Sequence, residues 1–424
     1  MSDIAAEPQP APHGATVARS YRMSQREVLT FVSAVMALMA LGIDLMLPAF
    51  DDIRVAFDLG EASPRTGQVI TVFFLGLAIG QLVYGPLADS FGRKPILYAG
   101  LVVYTIGAIG SALAPSFAVL LISRFVWGLG AAGTRVVATS IVRDRFEGAA
   151  MAEALSQVMA VFMLVPVFAP ALGTGIIALV PWQGVFWFCV VVAGVVGTWG
   201  LRMRESLDPA HRRPLDLATT VSGYVEVTRT PVTGGYMLAI TFLQGVFTTY
   251  LASSELIVSE VFDREEQFPY IFGAVAVFFA IGAIANGRIV GRVGVHRLIG
   301  RAFVVITVLN LILVALSIVS DGRPEFWIFM PLLAVTLGCF LLLMPNLNTA
   351  AMTPVGHIAG TASALTGSVS MAGGALLGTI VSAQITDSAT PFAVGVALLC
   401  GAAFTTVLVV RQRSPDATSG DTSF

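Results

Sequence analysis

Of the chain's 424 residues, 56% are hydrophobic and only 12% are charged, far from the soluble norm of roughly 25% charged, and no water-soluble fold of this length hides so much apolar surface. A formal net charge of -2 argues against nucleic acid as a partner. Cys189, Cys339 and Cys400 each sit inside an apolar run, a pattern of small packing residues rather than a disulfide framework or a metal cluster.

The first 26 residues, with Pro8, Pro10, Pro12 and Gly14, read as a disordered cytoplasmic tail. They do not read as a cleavable signal, because the first apolar run begins only after Glu27 and has no small-residue cleavage site behind it. Runs of about 17–25 mostly apolar residues mark membrane spans. In the first half of the chain they fall at 27–50, 66–87, 95–114, 118–142, 151–177 and 183–202. A polar stretch follows, with Pro209, His211, Arg212, Arg213 and Pro214. The second set falls at 234–260, 268–287, 298–319, 326–349, 358–384 and 391–410. The expected architecture is an all-α integral membrane protein with 12 transmembrane helices in two pseudo-symmetric six-helix bundles, 27–202 and 234–411. A cytoplasmic linker, 203–233, joins them, and 412–424 form a cytoplasmic tail.

Basic residues orient these spans. With the N-terminus in the cytoplasm, 18 of the 24 lysines and arginines lie on the cytoplasmic side, as the positive-inside rule requires. Arg54, Arg65, Arg264 and Arg323 fall outside, while Arg124 and Arg135 fall within a span. Outer loops carry Asp51, Asp52, Asp58, Glu61, Asp263, Glu265 and Glu266 instead. The loop after span two, Gly85–Pro95 (GPLADSFGRKP), is echoed after span eight by Gly287–Arg297 (GRIVGRVGVHR), with glycines and basic residues at nearly the same spacing. Matching positions in both halves indicate a duplication.

These residues resemble the major facilitator superfamily, and within it the bicyclomycin/chloramphenicol-resistance type of drug:proton antiporter. The resemblance runs from span one to span twelve. Gly85–Pro95 is similar to the superfamily's loop 2–3 signature, and Arg124–Gly133 (RFVWGLGAAG), with Arg143 and Asp144 beyond it, to the span-four signature of proton-coupled members. Ala169–Gly175 (APALGTG) resembles the span-five antiporter signature, and Asp44–Pro48 (DLMLP) the end of span one in this group. Pro345 and Asn346, with Ala359–Ala364 (AGTASA), resemble its span ten–eleven region. Ala169 stands where the antiporter signature carries glycine, Arg135 is an extra charge in span four, and Glu255 follows Ser254 where relatives tend to have proline. These departures bear on the substrate rather than the fold.

A charge at the bilayer centre costs roughly 2.5–3.5 kcal/mol on insertion scales, so each intramembrane ionisable residue is a functional candidate. Asp44 and Arg124 lie at similar depth, each about six residues, or roughly 9 Å, from the outer end of its span. The resemblance implies that spans one and four face a shared cavity, so the two residues can pair or compete, with Asp44 taking the proton and its charge deciding whether substrate binds. Glu255, near the outer end of span seven, is a second protonation site, an anchor for cationic substrates, or a water-facing carboxylate at the rim. Arg135 lies about 16 Å nearer the cytoplasm than Arg124, where it can reach the inner mouth or snorkel, a depth that suits a structural or inner-gate role. Gly85, Asp89, Gly92, Arg93 and Lys94 are assigned to gating: Asp89 can sit against the N-terminus of span eleven, and Gly85 can let two backbones approach, a latch that would hold the outward-open state and break when the cytoplasmic side opens. Pro170 and Gly173, with Pro166 and Gly175, suit a kinked, small-residue face that seals against proton leak. Met46, Phe74, Gln244, Tyr250, Phe340 and Asn346 are the candidates for substrate contact, since aromatic and thioether groups adapt to varied amphipathic ligands. His296 and His357 fall in cytoplasmic loops and are expected to be solvated.

No HExxH, GxxxxGK or Ser/His/Asp arrangement occurs in the sequence. The expected protein is therefore not an enzyme, needs no cofactor beyond a proton gradient, and works as a monomer in a bacterial inner membrane with both termini in the cytoplasm. Its partners are a small-molecule substrate, protons and lipid. Drug:proton antiport leads, and proton-coupled transport of an endogenous metabolite by the same machinery is the alternative. A sensor is disfavoured by the lack of an output domain, and a membrane enzyme by the lack of acids, histidines or nucleophiles gathered at one depth.

Overall fold

The structure, a computed structural model, describes residues 23–60, 63–212 and 214–413. The two tails expected at 1–26 and 412–424 therefore lie mostly outside the described residues, as do Glu61 and Arg213. Among the described residues every regular element is helical.

Helix α1 (Gln25–Asp44) starts at Ser24, whose side chain accepts from the Glu27 amide, a capping contact that satisfies one orphan donor of the first turn. It stops at Asp44 for a reason written four residues on. Pro48 has no N–H to donate to the Asp44 carbonyl, and its ring would collide with that carbonyl in a continuing helix. A short 3-10 turn, Leu47–Ala49, bridges to α2 (Phe50–Ala56). The chain then forms α3 (Gln68–Phe91), α4 (Arg93–Ala112), α5 (Phe117–Arg145), α6 (Gly148–Ile177) and α7 (Gly184–Gly200). The polar stretch that follows is not all irregular: α8 (Leu217–Arg229) lies within it. The second half comprises α9 (Pro231–Leu256), α10 (Phe268–Val293), α11 (Val295–Val319), α12 (Phe326–Met352), α13 (Ala359–Ser382) and α14 (Thr390–Arg413). A π-helical segment, Ile257–Val261, extends α9.

Among the described residues ten stretches are long and apolar enough to cross a membrane. One of them, Phe326–Ser382, holds both α12 and α13, and α7 is a shorter apolar helix. The outward faces of these helices are apolar, with Val102, Ile106, Val191, Leu311 and Ile380 all exposed, as lipid-facing surfaces require.

Small residues set the closest packing. A Cβ on Gly128 of α5 would lie 2.0 Å from the Phe73 carbonyl of α3, so only glycine lets these two backbones meet. Within the first half α5 packs on α1, α3 and α4; within the second α9 packs on α13 and α14, and α12 on α10 and α11. Between halves, α3 lies on α13 and α6 on α10. Turn geometry repeats along the chain: Gly92 and Gly294, each ending one long helix and starting the next, have φ of 105° and 83°. Asp58 and Asp263, after the first helix of each half, have φ of 51° and 54°.

Candidate functional site

The break after α1 leaves the last carbonyls of that helix without amide partners. Arg124, fully buried, donates from Nη1 to the Gly42 carbonyl at 2.8 Å and from Nε to the Val69 carbonyl at 3.4 Å. Its guanidinium lies over the rings of Phe73 and Trp127, 4.6 and 4.8 Å from their centroids. A cation suits the C-terminal end of a helix, and this one is used there. The expected pairing of Arg124 with Asp44 is therefore corrected: among the described residues no cation lies within ion-pair distance of Asp44. Asp44 itself is 4% exposed, ends α1, and lies within electrostatic reach of Tyr250 in α9. The segment just beyond it is held by α6, where a Cβ on Gly173 would lie 2.2 Å from the Leu45 carbonyl. Pro166 and Pro170 sit inside α6, which runs from Gly148 to Ile177.

Arg54 and Glu255 close one end of the seam between the halves. Nη1 and Nη2 of Arg54 meet Oε2 and Oε1 of Glu255 at 2.9 and 2.8 Å, with the two side chains 2% and 5% exposed. Asp51 adds a contact to Arg54 at 3.3 Å, and the Ser259 hydroxyl donates to Glu255 at 3.2 Å. Glu255 is thus not the water-facing rim carboxylate the sequence suggested, because a buried guanidinium neutralises it. Beside this pair the hydroxyls of Thr71 and Thr379 meet at 2.6 Å, and a Cβ on Gly67 would lie 2.9 Å from that of Ala252.

The opposite end of the bundle is held differently. Arg93 grips Asp144 with Nε at 2.9 Å and Nη2 at 3.3 Å, and reaches Asp89 with Nη1 at 2.6 Å. Ser206 donates to Asp144, and the backbone amides of Arg93 and Lys94 donate to the two Glu205 oxygens at 2.8 and 3.0 Å. The Lys94 ammonium caps the carbonyls of Leu201 and Met203, the chain just after α7. Gly92 must be glycine here on two counts, its positive φ and the Glu205 carboxylate 2.6 Å from a Cβ position. These contacts tie α3, α4 and α5 to the start of the linker. Asp89 pairs with Arg93 and is half-exposed. A Cβ on Gly85 would meet nothing within 4 Å, nor would one on Gly287, Gly291 or Gly360. The close backbone approach at Gly85, expected for the outward-open state, is not made in this structure.

The proposed substrate residues divide. Tyr250 stacks on Phe272, with centroids 5.5 Å apart, and meets Phe279 edge-on. Phe340 stacks on Phe247 at 5.4 Å, and Phe247 also meets Phe279. The structure thus joins Tyr250 and Phe340 in one aromatic group with Asp44 close by. Asn346 donates to Asn286 of α10 and to the Leu342 carbonyl. Gln244 is packed into α13, with its Cγ 2.6 Å from the place of a Gly374 Cβ. Met46 and Phe74 are buried. Arg135 sits not at a mouth but along the seam, with Nη1 3.7 Å from the Met371 sulfur of α13. His357 pairs with Glu226 of α8 at 2.8 Å while staying exposed, and the His296 ring lies 3.5 Å from the Tyr236 hydroxyl.

Sequence reading missed Arg54, Asp144, Glu205 and Asn286 as members of these clusters. Arg54 carried one signal: it follows Ile53 and precedes Val55 in an amphipathic stretch just beyond a span.

Long apolar helices, packed across the chain's two halves through α3 on α13 and α6 on α10, suit a polytopic membrane protein. The family model described as Major Facilitator Superfamily matches residues 32–379, and the chain belongs to that family. It is 28% identical over 356 residues to the bicyclomycin resistance protein homolog of Haemophilus influenzae, across 82% of this chain and 87% of that protein. It is also 28% identical over 364 residues to an uncharacterized MFS-type transporter of Bacillus subtilis, YdgK, across 84% and 88%. The multidrug resistance protein MdtL of Salmonella heidelberg is 32% identical over 230 residues, across 54% of this chain and 57% of that one. Among solved structures, a D-xylose-proton symporter superposes with a TM-score of 0.70 at 14% identity, covering 91% of this chain and 97% of that one. The POT family transporter PepTSo gives 0.72 at 13% identity, covering 94% and 100%. At such identities these two establish the fold alone. The chain is a multi-pass membrane transporter, not a soluble enzyme.

Proposed function

We propose that this transporter exports small amphipathic compounds, antibiotics included, in exchange for protons across a bacterial cytoplasmic membrane. The relatives named for bicyclomycin and multidrug resistance support that direction. The twelve spans of this reading are the long helices α1, α3–α7 and α9–α14, six in each half, with the linker and both termini in the cytoplasm. The working unit is a single chain.

One observation carries the reading. Asp44 is a buried carboxylate at a helix break, with no cation within ion-pair distance among the described residues, within electrostatic reach of Tyr250 in the other half. A carboxyl group so placed can hold a proton or be available to cargo, but not both. Arg124 caps the end of α1 and so positions Asp44 rather than competing for it. The Arg54–Glu255 pair is the outer gate, and the parted helix ends around Gly85 and Gly360 form the inner opening, which makes this conformation inward-facing. The Arg93–Asp144–Glu205 cluster keeps the inner ends of the first half together while the halves rock. Each proton entering down a 100 mV potential supplies about 2.3 kcal/mol to drive export.

Everted membrane vesicles with a pH-sensitive dye test this. Adding an amphipathic antibiotic from a susceptibility panel should dissipate a preformed proton gradient in vesicles carrying this chain and not in control vesicles. A panel in which no compound moves protons while one is still transported would leave a uniporter or facilitator instead.

A further inference from the structure

The aromatic group and Asp44 leave one charged side chain of the seam unused. Arg135 in α5 sits ten residues from the inner end of its helix, Gln81 in α3 ten residues from Phe91, and Met371 in α13 twelve residues from Ala359. At 1.5 Å per residue all three lie roughly 15–18 Å from the same membrane face, near mid-depth. The Gln81 carboxamide, 7% exposed, donates to the Met371 sulfur at 2.9 Å, and Arg135 Nη1 approaches the same sulfur at 3.7 Å.

A thioether is a weak acceptor, whereas a guanidinium offers five donors. Two strong donors from two helices of one half thus converge on one poor acceptor of the other half. Among the described residues no carboxylate lies within ion-pair distance of Arg135. A cation held in the interior of a membrane protein with no counter-ion of its own is suited to one that arrives with a ligand. Phe340, twelve residues from the same end of α12, lies at this level and carries its stack with Phe247 toward Tyr250.

We propose that Arg135 and Gln81 form the oxyanion-recognising part of the cargo site, so that the preferred cargo is an amphipathic compound with a carboxylate or similar acidic oxygen group. The acidic end replaces Met371 as the partner of the two donors, and the apolar body lies along Phe247 and Phe340. This rests on the transporter reading above and names its substrate class.

A matched pair of probes tests it: 2-naphthoate and the neutral 2-naphthamide, bound at equilibrium to the detergent-purified full chain and corrected against empty micelles. Wild-type protein should bind naphthoate at least tenfold more tightly than naphthamide. Arg135→Gln should weaken naphthoate at least tenfold and erase the preference, Gln81→Leu should reduce it, and Arg135→Lys should keep part of it, which guards against a variant that merely misfolds. Equal affinities, no naphthoate binding by wild type, or a preference that survives Arg135→Gln would overturn the proposal. Because the readout is binding, it is independent of coupling: proton movement with a neutral antibiotic can persist while this inference fails, and the reverse.

Discussion

Arg54 and Glu255, 201 positions apart in sequence, share two hydrogen bonds of 2.9 and 2.8 Å that join the two halves of the chain. Arg54 stands two positions before the end of the short helix after the Asp44 break, and Glu255 two positions before a π-helical segment. Both partners thus sit where their helices change form, positions able to move without unwinding a long span.

Breaking a buried ion pair by removing one partner costs about 3–5 kcal/mol, because the other charge stays buried alone. Glu255→Gln should therefore weaken outer closure and raise the outward-open population. Spectroscopic distances between labels at the outer ends of α3 and α13 should lengthen, and the charge-swapped pair Arg54→Glu with Glu255→Arg should restore the shorter distance. Unchanged distances in Glu255→Gln would mean that the pair fastens nothing.

Gly173→Ala places a methyl group 2.2 Å from the Leu45 carbonyl. Overpacking of this kind costs roughly 1–3 kcal/mol, and here the strain falls on the segment that carries Asp44. The variant should lose substrate-driven proton movement while a Gly175→Ala variant, with open space around it, keeps it. Equal activity of the two variants would remove the close-approach argument.

Of the inner-end charges, Arg93 and Asp144 are the more buried, at 8% and 16% exposure, whereas Asp89 is 49% exposed. Arg93→Ala should lower thermal stability by about 3 kcal/mol or more. Asp89→Asn should cost about 1 kcal/mol or less, because water screens an exposed pair. Thermal unfolding of the purified variants in one detergent gives the order, and an equal loss in both would contradict it.

Much of the fold was legible from composition, because a helix that faces lipid must be apolar along its length and every backbone group must bond within it. The helices fall within a few residues of the apolar runs at most ends. One clear difference is at span one, read to 50 but broken at Asp44, since a hydropathy window does not register one proline that deprives a carbonyl of its donor. The amphipathic helix α8 was invisible for the opposite reason: its Val227 finds Val355 and Ala362 only in the folded chain. Charges were located correctly but partnered wrongly. Depth along a helix can be counted from sequence, whereas azimuth, which turned Arg124 toward the Gly42 carbonyl and away from Asp44, depends on packing. Arg54 was missed because a charge outside an apolar run reads as solvated until another chain segment covers it.

The most direct test of the account is proton release on cargo binding. Purified protein in weakly buffered solution with a pH dye should release protons when the compound most active in vesicles is added. The Asp44→Asn variant, folded and still in the membrane fraction, should release none. Release from Asp44→Asn equal to that of wild type would show that the exchanged proton resides elsewhere.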